Sequence, residues 1–285
     1  MYGQGSIYTV ANSSAGIATG TFAERSGIVA RNGDAFIQTD DARDSPSGLY
    51  YFVNTIWNYV PLNPEQLIYF YYEFFLTGGN NGLVGAYIWS ITGLAQASES
   101  YANFSGTTIF STGTSATGRC AVYFGNLNNT SNGIFITQGA AYYKCLSVDL
   151  PLLSTVGEEF IVRCGFSAYG AGGFGGDFDD GIYFEYNRLT SVNWLLRTAR
   201  SGIRTTLDSG VPVATGQNLF EIFVSPTGSQ ADYYLNGTLI GSVLLVGFNR
   251  FYIPVMQIVK SAGIVARTIV VDYIKAWQRR SVTRV

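Results

Sequence analysis

Histidine is absent from all 285 residues. That removes Ser-His-Asp and Cys-His catalytic arrangements, His-rich zinc sites and the side chain that ordinarily titrates near neutrality. Charge is scarce as well. Lys and Arg number 17 and Asp and Glu 19, a charged share of 13% and a net charge of −2, so no field draws in a polyanion and no basic run marks a nucleic-acid groove. No apolar run reaches the roughly 18 residues of a membrane helix. The opening MYGQGSIYTVANSSAG has no basic residue ahead of an apolar core, so neither a signal peptide nor membrane insertion is expected, and the expected place of synthesis and assembly is a cytoplasm. Cysteine is limited to Cys120, Cys145 and Cys164, odd in number and without metal-ligand spacing, which favours buried free thiols over a disulfide framework.

Against these absences stand a hydrophobic share of 47% and 39 Tyr and Phe residues, 20 and 19 respectively. The length suffices for one large β domain or two smaller ones without covalent staples. So few charges on so large a chain imply that partners cover part of its surface. Gly, Thr, Ser and Asn punctuate short β-branched and aromatic runs, the pattern of an all-β sandwich with many turns. The best helix start, Asn63-Pro64-Glu65-Gln66-Leu67, leads into Ile68-Tyr69-Phe70-Tyr71-Tyr72, which favours a strand, so one turn of helix at most is expected there.

In the C-terminal half, Ala231–Leu235 and Thr238–Gly241 flank Asn236-Gly237, a dipeptide that accepts the two positive φ angles of a type I′ hairpin turn. Arg267–Trp277 alternates Arg267, Ile269, Val271, Tyr273, Lys275 and Trp277 on one face with Thr268, Val270, Asp272, Ile274 and Ala276 on the other. Both faces are largely apolar, as in a central strand. A further hairpin is expected to join Tyr142–Leu150 to Glu158–Ser167 through Pro151–Gly157. A turn centred between Ser154 and Thr155 would set Cys145 opposite Cys164, where a cross-strand disulfide is geometrically allowed. Residues 1–30, small, polar and Gly-rich, read as an extended arm that needs a neighbour to order it. Residues 31–68 read as a small β unit too short to stand alone, 69–278 as the main body and 279–285 as a tail.

The stretch GDAFIQTD…GLYYFVNTIWNYV in the small unit resembles the connector hairpins of bacteriophage fibre proteins. A second resemblance covers roughly residues 69–278 and is to the concanavalin A-like jelly-roll domains of phage tail and head proteins. Its segments are STGTSATGRCAVYFG, EEFIVRCGFSAYG, DDGIYFEYN, NWLLRTARSG, LDSGVPVATGQNLFEIFV, DYYLNGTLIG and QIVKSAGIVARTIVVDYIKAWQ, in that family's order and spacing. The resemblance implies an all-β jelly-roll sandwich behind an N-terminal arm and a virion-attaching connector. It implies further a virion surface protein that touches other virion proteins and forms a homo-oligomer, with a trimer favoured. Its expected role is that of a tail or baseplate fibre whose loops bind host-surface glycan, several weak sites acting together. A capsid decoration or structural protein is the alternative, and a polysaccharide hydrolase the third reading.

Jelly-roll glycosidases commonly carry Glu-x-Asp-x-x-Glu on one strand, one carboxyl protonating the leaving oxygen while another attacks. That spacing is missing, and Glu185 reads instead as a charge on a solvated sheet face or paired with a neighbouring Arg. A chain without enzymatic activity, catalytic residues or cofactor is therefore expected. GGFGGDFDDG (172–181) has neither the Lys nor the helix start that a phosphate loop requires. Its Asp177, Asp179 and Asp180 could supply oxygens to Ca²⁺ or to a sugar, although the EF-hand spacing is incomplete and Asp-Gly is common in solvated turns. Gly172–Gly176 reads as an exposed loop and Ile182–Tyr186 as a sandwich strand. Among Trp57, Trp89, Trp194 and Trp277, Trp194 near a strand start is the candidate platform for a sugar ring, against the ordinary reading of tryptophan as core.

Overall fold

The computed structural model describes residues 107–124, 134–168 and 177–279, together with the shorter elements named below between 18 and 99. Contacts divide the chain into two compact units, Met1–Ile68 with Arg279–Val285, and Tyr69–Gln278.

The first unit holds a four-stranded sheet of β1 (Ala18–Gly20), β2 (Ala35–Gln38), β3 (Gly48–Val53) and β4 (Ile56–Val60) in spatial order, with a helical turn, α1 (Phe22–Ser26), after β1. β1 runs parallel to β2, and the remaining pairs are antiparallel. Part of the stretch read as an extended arm is therefore ordered as strand and helix. Ala, Glu and Arg favour the helical turn, and Arg25 secures it by placing its guanidinium carbon 3.6 Å from the centroid of the buried Tyr50 ring, a cation–π contact.

The second unit is a sandwich of two sheets. Its strands are β5 (Leu67–Glu73), β6 (Leu83–Val84), β7 (Trp89–Gly93), β8 (Ser98–Glu99), β9 (Thr108–Ser111), β10 (Arg119–Phe124) and β11 (Ile134–Phe135). There follow β12 (Ala141–Asp149), β13 (Phe160–Ala168), β14 (Gly181–Asn187), β15 (Asn193–Arg200) and β16 (Ile203–Pro212). The last are β17 (Asn218–Val224), β18 (Gln230–Leu235), β19 (Thr238–Leu244), β20 (Phe251–Lys260) and β21 (Thr268–Arg279). One sheet runs β16-β15-β14-β13-β20-β10-β7-β6 with β11 on β20, and the other β19-β18-β17-β12-β21-β9-β8 with β5 on β21.

Alternation on each strand sends every second side chain into the space between the sheets. Val162, Cys164 and Phe166 of β13, Phe184 and Tyr186 of β14 and Trp194 and Leu196 of β15 meet Tyr143 and Cys145 of β12, Phe220 and Ile222 of β17 and Tyr233 of β18. Edge-on and tilted ring pairs knit this core, with Trp194 4.8 Å and Phe184 5.2 Å from Phe220. The Asn236-Gly237 turn has φ of 50° and 81° and joins β18 to β19 as the sequence indicates.

Two expectations are corrected. β12 and β13 do not form a hairpin, because β12 pairs with β17 and β21 in one sheet and β13 with β14 and β20 in the other. Residues 151–157 instead carry the chain across the sandwich, with a local reversal at Val156-Gly157 where Thr155 and Glu158 bridge. Cys145 and Cys164 therefore face each other from opposite sheets, and all three cysteines are free and buried. In β21 the strict alternation is broken, since the register against β12 steps past Asp272. That bulge places Ile269 and Val271 on the same core-facing side as Ile274 and Ala276, and leaves Trp277 on the other.

Candidate functional site

The side of the β13–β14–β20 sheet that faces away from the core carries a line of polar residues. Gln257 on β20 is the register partner of Arg163 on β13, and Arg163 that of Glu185 on β14. Arg163 Nε donates to Glu185 Oε2 at 2.7 Å, and its Nη1 donates to Gln257 Oε1 at 3.1 Å. From β15, Arg197 Nη2 stands 2.8 Å from Glu185 Oε1. The line is enclosed, with Arg163 2%, Glu185 1% and Gln257 0% exposed. Beside it, burial and then the Glu185 charge raise the Tyr183 hydroxyl above its ordinary pKa, against the pull of Arg163 and Arg197.

The remaining Arg163 nitrogen donates to Asp177 Oδ1, which brings in the strap Asp177–Asp180 that leads into β14. Phe178 sits 5.8 Å from the Arg163 guanidinium and edge-on to Tyr183 at 4.9 Å. From β16, Arg204 Nη2 donates to the Phe178 carbonyl at 3.1 Å, and the guanidinium lies 3.6 Å from the Asp177 carboxylate and 3.8 Å from that of Asp179. Asp180 has a different role. Its Oδ1 accepts from the Ser201 amide at 2.9 Å, while Oδ2 lies 3.4 Å from Arg250 Nη1. With the Gly202 amide donating to the Asp179 carbonyl at 2.8 Å, two bonds clamp the strap to the β15–β16 turn.

Charge balances across the site. Asp177, Asp179, Asp180 and Glu185 oppose Arg163, Arg197, Arg204 and Arg250, four against four. A calcium ion at the strap would have to displace guanidinium groups from the carboxylates, and an anion would meet those carboxylates first. Among the described residues, no group of three or more His, Cys, Asp or Glu is arranged to hold a metal. What the rim offers to solvent is a set of paired acceptors and donors, half-exposed at Asp177 (49%), Asp179 (45%) and Arg250 (50%).

Of the residues singled out in the sequence, Asp177, Asp179 and Asp180 come together here, whereas Gly172–Gly176 lies outside the described residues. Trp194 does not join them. It is 0% exposed between Tyr186 and Phe220, so its ring faces are given to the core and none is left for a sugar. Trp277 is equally buried, and the side chains of Trp57 and Trp89 lie outside the described residues. Glu185 occupies no solvated face but is paired, with Arg163 and Arg197. Arg163, Arg197, Arg204 and Gln257 went unnoticed in the sequence. The signal for Arg163 was present, a cation at an alternate position of an otherwise apolar strand.

The two-sheet architecture is that of a concanavalin A-like jelly roll. No protein-family profile and no curated protein matches the sequence. Among solved structures the chain is similar to the Emp47p carbohydrate recognition domain at 9% identity and a TM-score of 0.51, over 76% of this chain and 99% of that one. It is also similar to the carbohydrate esterase of the Shiga toxin-encoding bacteriophage phi24B, at 10% identity and a TM-score of 0.43 over 67% and 90% of the two chains. A third likeness is to Bacillus licheniformis β-glucanase, at 13% identity and a TM-score of 0.42 over 74% and 98%. The expectation of a chain without enzymatic activity is corrected by these likenesses: carbohydrate-active enzymes stand beside a carbohydrate recognition domain, and the fold does not set this chain apart from them.

Proposed function

We infer that the Tyr69–Gln278 unit recognises glycan, as part of a bacteriophage virion protein of the tail or baseplate fibre type. The observation that carries the glycan reading is the charge-balanced rim in which the half-exposed carboxylates of Asp177 and Asp179 meet the quarter-exposed guanidinium of Arg204. It occurs on a fold shared with a carbohydrate recognition domain. Carboxylates accept from sugar hydroxyls and guanidiniums donate to them, and mutual pairing holds both in place before a ligand arrives. A neutral polyol is the ligand class such a rim suits, and several copies on one particle would raise the avidity of weak sites. The connector stretch GDAFIQTD…GLYYFVNTIWNYV supports the virion reading, with residues 1–68 seating the chain against other virion proteins.

The test is binding of the full chain to arrayed neutral and acidic oligosaccharides and to host cells, with each bound glycan sized afterwards. Retention on neutral glycan, weakened at least tenfold by Asp179→Ala at an unchanged melting temperature, is the expected result. Failure to bind any glycan or intact host cell removes the reading. Release of shortened saccharides would show that the unit also acts on what it binds.

A further inference from the structure

β16 closes one side of the sandwich as the last strand of its sheet. Its turn to β15, Ser201-Gly202, has φ of 48° and 80°, a type I′ geometry in which the flanking Arg200 and Ile203 share main-chain hydrogen bonds. Alternation along an antiparallel ladder then directs the N–H and C=O groups of Ile203, Thr205 and Leu207 toward β15, and those of Arg204, Thr206 and Asp208 away from it. No described strand takes these outward groups. The straight part of the edge is short, because the register skips between Leu195↔Asp208 and Asn193↔Pro212 and Gly210 has φ of 68°. Apolar side chains crowd it all the same. Ile203 is 79% exposed and Leu207 40%, while Leu244 at the end of β19 adds 71% and Val246 just after it 73%. Arg200, Ile203, Thr205, Leu244, Val246 and Phe248 line an open cavity of 460 Å³ there.

We propose that β16 joins two copies of this chain, pairing antiparallel with itself about a two-fold axis at Thr206. In that register Thr206 faces Thr206 of the partner subunit, Arg204 faces Asp208 of the partner subunit, and Thr205 faces Leu207 of the partner subunit. Every outward-directed residue meets an outward-directed one, as hydrogen bonding requires. Displacing the register by one such step, in either direction, sets Arg204 or Asp208 opposite Thr206 and moves the Asp208 charge away from the Arg204 guanidinium, which keeps its bonds to the strap. Self-complementarity of this kind is what a closed two-fold contact demands, and it distinguishes a second copy from an unrelated strand. Asp208 stays ionised in this position, since the Ser191 hydroxyl, the Gly210 amide and the Asn193 amide lower its pKa. Ile203, Leu207 and Leu244 of both copies then lie on the same side of the joined sheet, where the pairing covers an apolar edge that is otherwise exposed.

The proposal does not depend on the glycan reading and is tested without it. Light scattering on the full-length chain is expected to show a dimer or another even-numbered assembly at micromolar concentration. Thr206→Pro removes an outward N–H and spares the ladder to β15, because proline is tolerated where its nitrogen faces solvent. That variant is expected to halve the assembly with unchanged circular dichroism. Thr206→Cys is expected to give a disulfide-linked pair under mild oxidation, as facing Cα atoms in such a ladder lie about 5.5 Å apart. A monomer, a trimer with no even-numbered species, or a Thr206→Cys protein that stays unlinked would each overturn the proposal.

Discussion

Glu185 gives both carboxylate oxygens to arginine, Oε2 to Arg163 at 2.7 Å and Oε1 to Arg197 at 2.8 Å, at 1% exposure. Removing one member of a buried ionic cluster strands the others without water, at a cost of about 3–5 kcal/mol. Glu185→Gln is therefore expected to lower unfolding free energy by that amount in urea titration, against little change for the half-exposed Asp179→Ala; equal effects would refute the enclosed-cluster account. Any loss of function in Glu185→Gln would accordingly have to be read against its loss of stability. At this scale the sequence was partly legible. Three aspartates within four residues advertised themselves, and a charge in a hydrophobic strand implied a partner. The partner's identity was hidden because it depends on register, and Arg163 precedes Glu185 by 22 residues. Trp194 misled for a related reason, as its position beside a turn says nothing about which face of β15 it occupies.

Single elements were legible where backbone conformation is imposed locally. Asn236-Gly237 specifies its turn by itself, whereas Pro151–Gly157 does not, because a short join between two strand-like runs suits either a hairpin or a passage from one sheet to the other. Both runs are strand-like, which does not tell neighbours in one sheet from strands of two sheets, and the Asp272 bulge has no counterpart in an alternation pattern. The far end of the 151–157 passage is secured by Glu158, whose Oε1 accepts from the Ile264 amide and Oε2 from the Val265 amide, each at 3.0 Å. Desolvation raises the Glu158 pKa, but these two amides together with Arg267 and Lys260 outweigh it and hold the carboxyl below its ordinary value. A carboxyl with a depressed folded-state pKa contributes stability above its unfolded value and loses it as pH falls through the folded one. The melting temperature is thus expected to decline between about pH 5 and pH 3, and Glu158→Gln to decline less steeply across that window. Parallel curves for the two proteins would show that the carboxylate contributes nothing.

For the molecule as a whole, the charged share of 13% overstates what solvent meets, since eight of those charges are paired in the one rim and its buried line. Neither net charge nor rim therefore supplies a long-range field, and binding through it should be governed by short-range hydrogen bonds. Glycan affinity is expected to vary less than about threefold between 50 and 500 mM salt; a steep fall would point to a charged ligand. Two-sheet architecture was legible because turn residues punctuate the sequence throughout, but the choice between binding and catalysis belongs to particular side chains and no fold settles it. The Ala168 amide donates to the Asp180 carbonyl at 2.9 Å and Asp177 is tied to Arg163, so the described residues on either side of 169–176 are both fastened to the framework. Closure entropy between fixed ends rises by only about 0.6 kcal/mol for each doubling of length. Sequence spliced in at Gly173, by recombination or by design, is therefore expected to leave the melting temperature nearly unchanged.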